Sequence, residues 1–378
     1  MKLPKIKIKE LPIVAAACRA AGRIFSLYGQ GGTGKTVALK TIVAPALGID
    51  PKHVYLVNLS GSSPQEALGY GIPDAETKDM YFSNPEIWPT ANRVPDGTPS
   101  MLILDEYTDY DLSIQSLLRG IYSPFGGAGM VGSHTLTRDL FICTTGNRRM
   151  DGSSRSSVPP APFVERSFSF ELLNDLDSYI DYVFTLPDIC ESPLIAFLAF
   201  QNGLSDVDHY CPPVKMPYDG SPHPCPRSWE AAMEAERALE ADPAADSSHI
   251  SAALRSTLGE QTGTAANAFR ETVFKDLPLI KKIEHDGKNL LELNDDGAIG
   301  TDCRANQYGL IFTAIRKCLR DYREDLEAAL HDGKMDWLID RMILKAHADV
   351  AGWAYEAGCS AGLPLDQHPK RKDMQKLI

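Results

Sequence analysis

Residues 29–36 read GQGGTGKT, and no other stretch of the chain restricts its fold as strongly. The run fits G-x-x-x-x-G-K-[ST] at every position. It follows a short apolar run, RIFSLY at 23–28, and opens a segment to about Ala46 with apolar Val37, Leu39, Ile42 and Val43 at helical spacing. A strand, a glycine loop and a helix in that order make an anion cradle. Gly29, Gly31, Gly32 and Gly34 let the backbone curl into a nest of N–H donors, and the helix start adds its positive end. Lys35 brings a point charge to the β- and γ-phosphates, and Thr36 brings a hydroxyl to Mg²⁺. The expected nucleotide contacts are Gly29, Gly31, Gly32, Thr33, Gly34, Lys35, Thr36 and Val37, with ATP and Mg²⁺ as the ligands.

Around this loop, strands alternate with helices. HVYLVNL at 53–59, MLILD at 101–105, DLFICTT at 139–145 and RSFSFEL at 166–172 read as further strands, and 111–121 has helical spacing. Such alternation predicts an α/β fold, a parallel sheet covered on both faces. After about residue 172 the β pattern fades. Residues 173–202 and 227–275 read as mostly helical, separated by a Pro- and Gly-rich loop at 203–226. Further on, Tyr308, Ile311, Ile315, Leu319, Tyr322 and Leu326 recur every three or four residues, and a second helix covers roughly 336–356. HDGK and NDDG mark turns in a boundary at 276–303. The expected plan is an α/β core over 1–172, a helical domain over 173–275 and a helical C-terminal extension over 276–378.

Two further features carry chemistry. In MLILDE at 101–106, a buried strand delivers Asp105 and Glu106 to the sheet edge where ligands bind. Asp105 is the candidate for the Mg²⁺ shell and Glu106 for polarising an attacking water. TTGN ends the fourth strand, which sets the Asn147 amide beside them, able to hold that water. Separately, His209, Cys211, His223 and Cys225 form two His-x-Cys pairs in the 203–226 loop. They offer two imidazoles and two thiolates to tetrahedral zinc; the alternative is a Pro-rich loop with free thiols.

Charge and hydropathy narrow the partners. There are 38 basic and 50 acidic residues, a formal charge of −12, which does not favour non-specific phosphate binding. Lys2, Lys5, Lys7 and Lys9, and Lys370 to Lys372, read as solvated terminal runs or a local DNA contact. No run of 18 apolar residues appears and no secretory signal is seen, so no membrane partner is expected. The eight scattered cysteines read as reduced thiols in a cytoplasm.

The order P-loop, LILDE, strand-TTGN, then an arginine before a fifth strand resembles the AAA+ ATPases, and within them the MoxR-like branch and its phage-encoded relatives. Residues 59–89 resemble that branch's insertion in the second core helix, 125–138 its hairpin before the first sensor, and PRSWE at 226–230 its second-sensor helix. The resemblance covers roughly 20–275. It implies a five-stranded sheet in the order 5-1-4-3-2, a helical lid, and a ring, usually a hexamer. It implies ATP hydrolysis by Glu106 and Asn147, with Arg227 reaching the γ-phosphate from the lid. It implies that Arg166 acts as an arginine finger on a neighbour's nucleotide, with Arg148, Arg149 and Arg155 as alternatives. Such rings commonly remodel proteins with a von Willebrand A-domain partner. The alternative is a motor acting on DNA, a translocase, helicase or replication helper. The expected setting is the cytoplasm of a bacterium or of a phage-infected cell.

Overall fold

The structure is a computed structural model, and it describes residues 3–77, 79–95, 97–122, 129–148, 156–190, 192–201, 208–214 and 220–274, with Leu365 and Lys372. The helices expected at 308–326 and 336–356, the boundary at 276–303, the tip of the 125–138 hairpin, Arg149 and Arg155 lie outside the described residues. So does the rest of the extension 276–378, those two residues apart. The chain divides into two compact units, Met1–Asp175 with Pro213–Gly220, and Leu176–Pro212 with Ser221–Ile378.

The first unit is α/β. Its strands, in chain order, are β1 (Lys5–Ile6), β2 (Ile24–Tyr28), β3 (Val54–Asn58), β4 (Gly71–Pro73), β5 (Met80–Phe82), β6 (Ser100–Asp105), β7 (Met130–Val131), β8 (His134–Thr135), β9 (Leu140–Gly146) and β10 (Ser167–Leu172). Six of them form one parallel sheet in the order β1-β10-β2-β9-β6-β3. This corrects the expected five strands in the order 5-1-4-3-2: β1 is added outside β10. The lysine-rich opening is therefore not all solvated tail. Residues on a strand alternate faces, so Lys5 is exposed while Ile6 is buried in the core. The short pairing is held at both ends, Glu171 N donating to Pro4 O and Leu173 N to Ile6 O, each at 2.9 Å.

β6 explains why the sheet needs two covers. Met101 and Ile103 pack on one side with Leu11, Phe25, Leu39 and Phe141. Leu102 and Leu104 pack on the other with Trp88, Tyr110, Ile114 and Phe163. An apolar run without polar alternation is what a strand buried on both faces requires. The segment after the glycine loop is helical but not uniform. It runs α over Lys35–Ala38, widens to a π turn at Leu39–Val43 and closes α at Ala44–Ala46. Pro45 has no N–H for the preceding turn and its ring crowds the carbonyl four residues back. The turn before it opens accordingly, with Ala44 N donating to Leu39 O.

The insertion after β3 has its own anchors. Ser63 and Glu66 form a reciprocal cap on the helix Pro64–Leu68. Trp88 is fully buried and donates from Nε1 to Ala67 O at 2.7 Å. The antiparallel pair β4 and β5 projects from this base with Tyr70, Ile72, Met80, Tyr81 and Phe82 exposed.

The second unit is helical among its described residues: Leu176–Val183, Pro193–Gln201, Pro226–Ala241, Ser247–Leu258 and Glu260–Phe274. They enclose Tyr179, Phe197, Trp229, Leu254 and Phe269. No helix among the described residues is long and apolar enough to cross a membrane.

Candidate functional site

Parallel pairing brings the C-terminal ends of β2, β9, β6 and β3 to one edge, so Tyr28, Gly146, Asp105 and Asn58 end side by side. The glycine loop leaves that edge directly after Tyr28. Gly32 and Gly34 hold φ of 76° and 79°, a left-handed conformation that costs a side-chain-bearing residue about 1–2 kcal/mol. Gly34 N-caps the helix that begins at Lys35.

Lys35 is 8% exposed and turns back over the loop. Its ammonium donates to Gly29 O at 2.9 Å, Gln30 O at 2.7 Å and Asn147 Oδ1 at 3.0 Å. Thr33 spends its hydroxyl inside the loop, on Gln30 O at 2.9 Å. Val37, expected among the nucleotide contacts, is 45% exposed on the helix surface. Tyr28, beneath the loop, has its phenol pushed up to about 12 by burial and then by the neighbouring Tyr107. It stays neutral at physiological pH and adds no negative charge next to the glycine loop.

The carboxylates stand next to this cradle. Asp105 Oδ1 accepts two hydroxyl protons, from Thr36 Oγ1 at 2.6 Å and from Thr145 Oγ1 at 2.5 Å. Glu106 has φ 55° and ψ 36°, the one non-glycine residue at positive φ among the described residues. Its amide donates to Thr145 Oγ1 at 3.1 Å, and its Oε2 accepts from Asn58 Nδ2 at 3.0 Å. Asn58 is itself oriented, because its Oδ1 accepts from Ser60 N at 2.9 Å and from Ser60 Oγ. The Nδ2 end is thus left facing Glu106.

Asn147 is held through its backbone. Its amide donates to Thr108 Oγ1 at 3.1 Å, and its carbonyl accepts from Thr108 Oγ1 at 2.9 Å and from Ser156 Oγ. Gly146 must be glycine for this approach: a Cβ there would lie 2.8 Å from Thr108 Cγ2 and 2.9 Å from Thr108 Oγ1.

The arginines divide. Arg148 forms a partly buried ion pair with Glu171 at 2.8 Å, at the same edge as the loop. Arg166 precedes β10 at the opposite end of the sheet, where its carbonyl accepts from Ile24 N and its guanidinium donates to Pro162 O at 3.0 Å. Arg227 belongs to the second unit, exposed in the first turn of the helix Pro226–Ala241.

The expected zinc set is not assembled. Among the described residues no group of three or more His, Cys, Asp or Glu side chains is placed to hold a metal. His209 stacks edge-on against Phe197 and bonds Thr262 Oγ1 at 3.1 Å. Cys225 serves as the N-cap residue of the helix Pro226–Ala241. Burial lowers the pKa of both His209 and His223, which suits neutral packed imidazoles.

Asn58, Ser60, Thr108, Thr145 and Ser156 escape sequence reasoning. The one signal for Asn58 is a polar residue directly after the apolar run VYLV, and for Thr145 its place two residues before Asn147. The Thr36 hydroxyl and Asp105 carboxylate are hard oxygen donors of the kind that suits Mg²⁺. Comparison of the sequence with protein-family models and with curated proteins gives no match, so what this site does is argued from its residues.

Proposed function

We propose that this chain is a Mg²⁺-dependent nucleoside triphosphatase, an AAA+ motor of the MoxR-like type that works as a ring and remodels a protein partner. One observation carries the reading. Thr36 and Asp105 meet at 2.6 Å beside a glycine loop and its buried lysine, with Glu106 and Asn147 at the same strand ends. Loop amides and Lys35 bind and orient the phosphates, exchanging the lysine's carbonyl partners for phosphate oxygens. Thr36 and Asp105 would hold the Mg²⁺, which when bound neutralises charge on the β- and γ-phosphates. Glu106 accepts the proton of the attacking water as the γ-phosphorus–oxygen bond breaks, and Asn147 aligns that water once Lys35 has turned to phosphate. Arg166 acts on a neighbouring subunit's nucleotide.

A protein partner fits the surface better than DNA. The β4–β5 hairpin exposes Tyr70 (66%) and Met80 (65%) and carries Asp74, Glu76 and Asp79 around its turn. The acidic groups repel a phosphate backbone, and together with the exposed apolar side chains they suit a basic, apolar segment of polypeptide.

The test is ATP affinity and steady-state hydrolysis. Lys35→Ala is expected to weaken nucleotide binding. Glu106→Gln is expected to keep ATP bound while turnover stops, since the amide preserves shape and cannot accept the proton. Turnover per subunit is expected to rise with protein concentration as rings fill. Normal turnover in Glu106→Gln refutes the assignment of the water-activating group, and DNA-stimulated turnover would favour the DNA motor.

A further inference from the structure

We propose that Thr145 is the positioning residue for both carboxylates of the site, one hydroxyl fixing Asp105 by its side chain and Glu106 by its backbone. The inference rests on the triphosphatase reading above. A threonine hydroxyl has a single proton, and acceptor lone pairs remain beside it. The proton goes to Asp105 Oδ1 at 2.5 Å, so the Glu106 amide at 3.1 Å must be the donor to the same oxygen. Both hydrogen-bond roles are thereby fixed.

Each bond answers a specific need. β6 ends at Asp105, so the Glu106 amide has left the strand ladder and requires a new acceptor. Glu106 also sits in the left-handed region, which a residue with a Cβ does not adopt without support. Thr145 supplies that support from β9, where it is 2% exposed. Its β-branched side chain is stiff about χ1, so the oxygen cannot easily swing away. On the other side, the bonds from Thr145 and Thr36 converge on the same carboxylate oxygen, which orients Asp105 toward the Thr36 hydroxyl. Removing the Thr145 oxygen loosens two groups that must be set together: the carboxylate facing the metal position and the turn that aims Glu106 at water.

The experiment compares Thr145→Val, which removes the hydroxyl at nearly constant shape, with Thr145→Ser, which keeps it and removes a methyl. All variants are assayed as full-length chains. In Thr145→Val, kcat is expected to fall about 10- to 100-fold, the range for a lost bond to a charged group. The KM for ATP is expected to change less than about 3-fold, and the Mg²⁺ concentration for half-maximal turnover to rise. Thr145→Ser is expected to recover turnover to within about 3-fold of the parent. Valine turnover close to the parent's overturns the proposal. So does equal loss in the serine and valine chains, which would mark the methyl's packing as the cause. If the valine chain does not fold by circular dichroism, Thr145→Ala replaces it under the same criteria. A parent chain that hydrolyses no nucleoside triphosphate overturns the triphosphatase reading itself, and this inference with it.

Discussion

Gly146→Ala tests the site's geometry with a single methyl group. Gly146 is the last residue of β9, and its φ is not in the left-handed region, so alanine meets no backbone penalty there. The penalty is contact. The new Cβ would stand 2.8 Å from Thr108 Cγ2 and 2.9 Å from Thr108 Oγ1, closer than real Cβ atoms come. Thr108 cannot give way at no cost, because its hydroxyl holds both the amide and the carbonyl of Asn147. Forced overpacking of this kind costs about 1–3 kcal/mol. At about 2–4 °C per kcal/mol for a unit of this size, Tm should fall by roughly 2–12 °C. Turnover should fall further than stability predicts, since the displaced strand end carries Asn147. Scanning fluorimetry and an ATP hydrolysis assay read the two effects. The double variant Gly146→Ala/Thr108→Ala should lose less stability than the sum of the singles, because Thr108→Ala removes the two atoms that the new methyl would strike. An unchanged Tm and unchanged turnover in Gly146→Ala would refute the account of Thr108 as the clamp on Asn147.

Two other expectations concern stability. Ile6→Ala should cost about 2–3 kcal/mol in denaturant melts, since Ile6, on the added edge strand, is buried in the core; a surface-like loss of a few tenths would return β1 to a solvated tail. Glu236 lies 2% exposed beside Ser192 and Arg270, and burial pushes its carboxyl up to about 7, the Ser192 and Arg270 contacts offsetting only part of this. Below pH 4.5 it is protonated folded and unfolded alike. Between 4.5 and 7 the unfolded chain ionises first, so stability falls as pH rises, by at most about 3 kcal/mol, and stays lowered above 7. Glu236→Gln should remove this component, so the stability difference between parent and variant should shift between pH 4.5 and 7.5; a constant difference would contradict it.

How far the chain could be read depended on whether a feature is local. Gly29 to Thr36 form a cradle from consecutive residues, and β6 betrays its double burial by having no polar alternation, so both are legible in one dimension. Asn58 and Thr145 are not. Their meaning comes from the pairing of β3 with β6 and of β6 with β9, which sets residues tens of positions apart on one edge. β1 is two residues long, too short for any periodicity to show, and one of the two, Lys5, is exposed. The His-x-Cys pairs failed for the converse reason. Closeness in sequence does not make side chains converge, and His209 is taken up by Phe197 and Thr262.

The placement of the arginines also limits what one chain can do alone. Arg148 is near the cradle but is paired with Glu171, their side chains 16% and 22% exposed. Pulling it away to serve phosphate would strand a partly buried carboxylate, which favours leaving Arg148 in a structural role. Arg166 is less committed, with one donor on the Pro162 carbonyl. It is, however, at the wrong end of its own sheet. Ser167 pairs with Ile24 and Glu171 with Tyr28, so the whole of β2 separates Arg166 from Gly29. At about 3.3 Å per residue that is roughly 16 Å, more than an arginine side chain spans. If Arg166 contributes to phosphate chemistry, the phosphate must belong to another copy of the chain, and hydrolysis then becomes a property of the assembly.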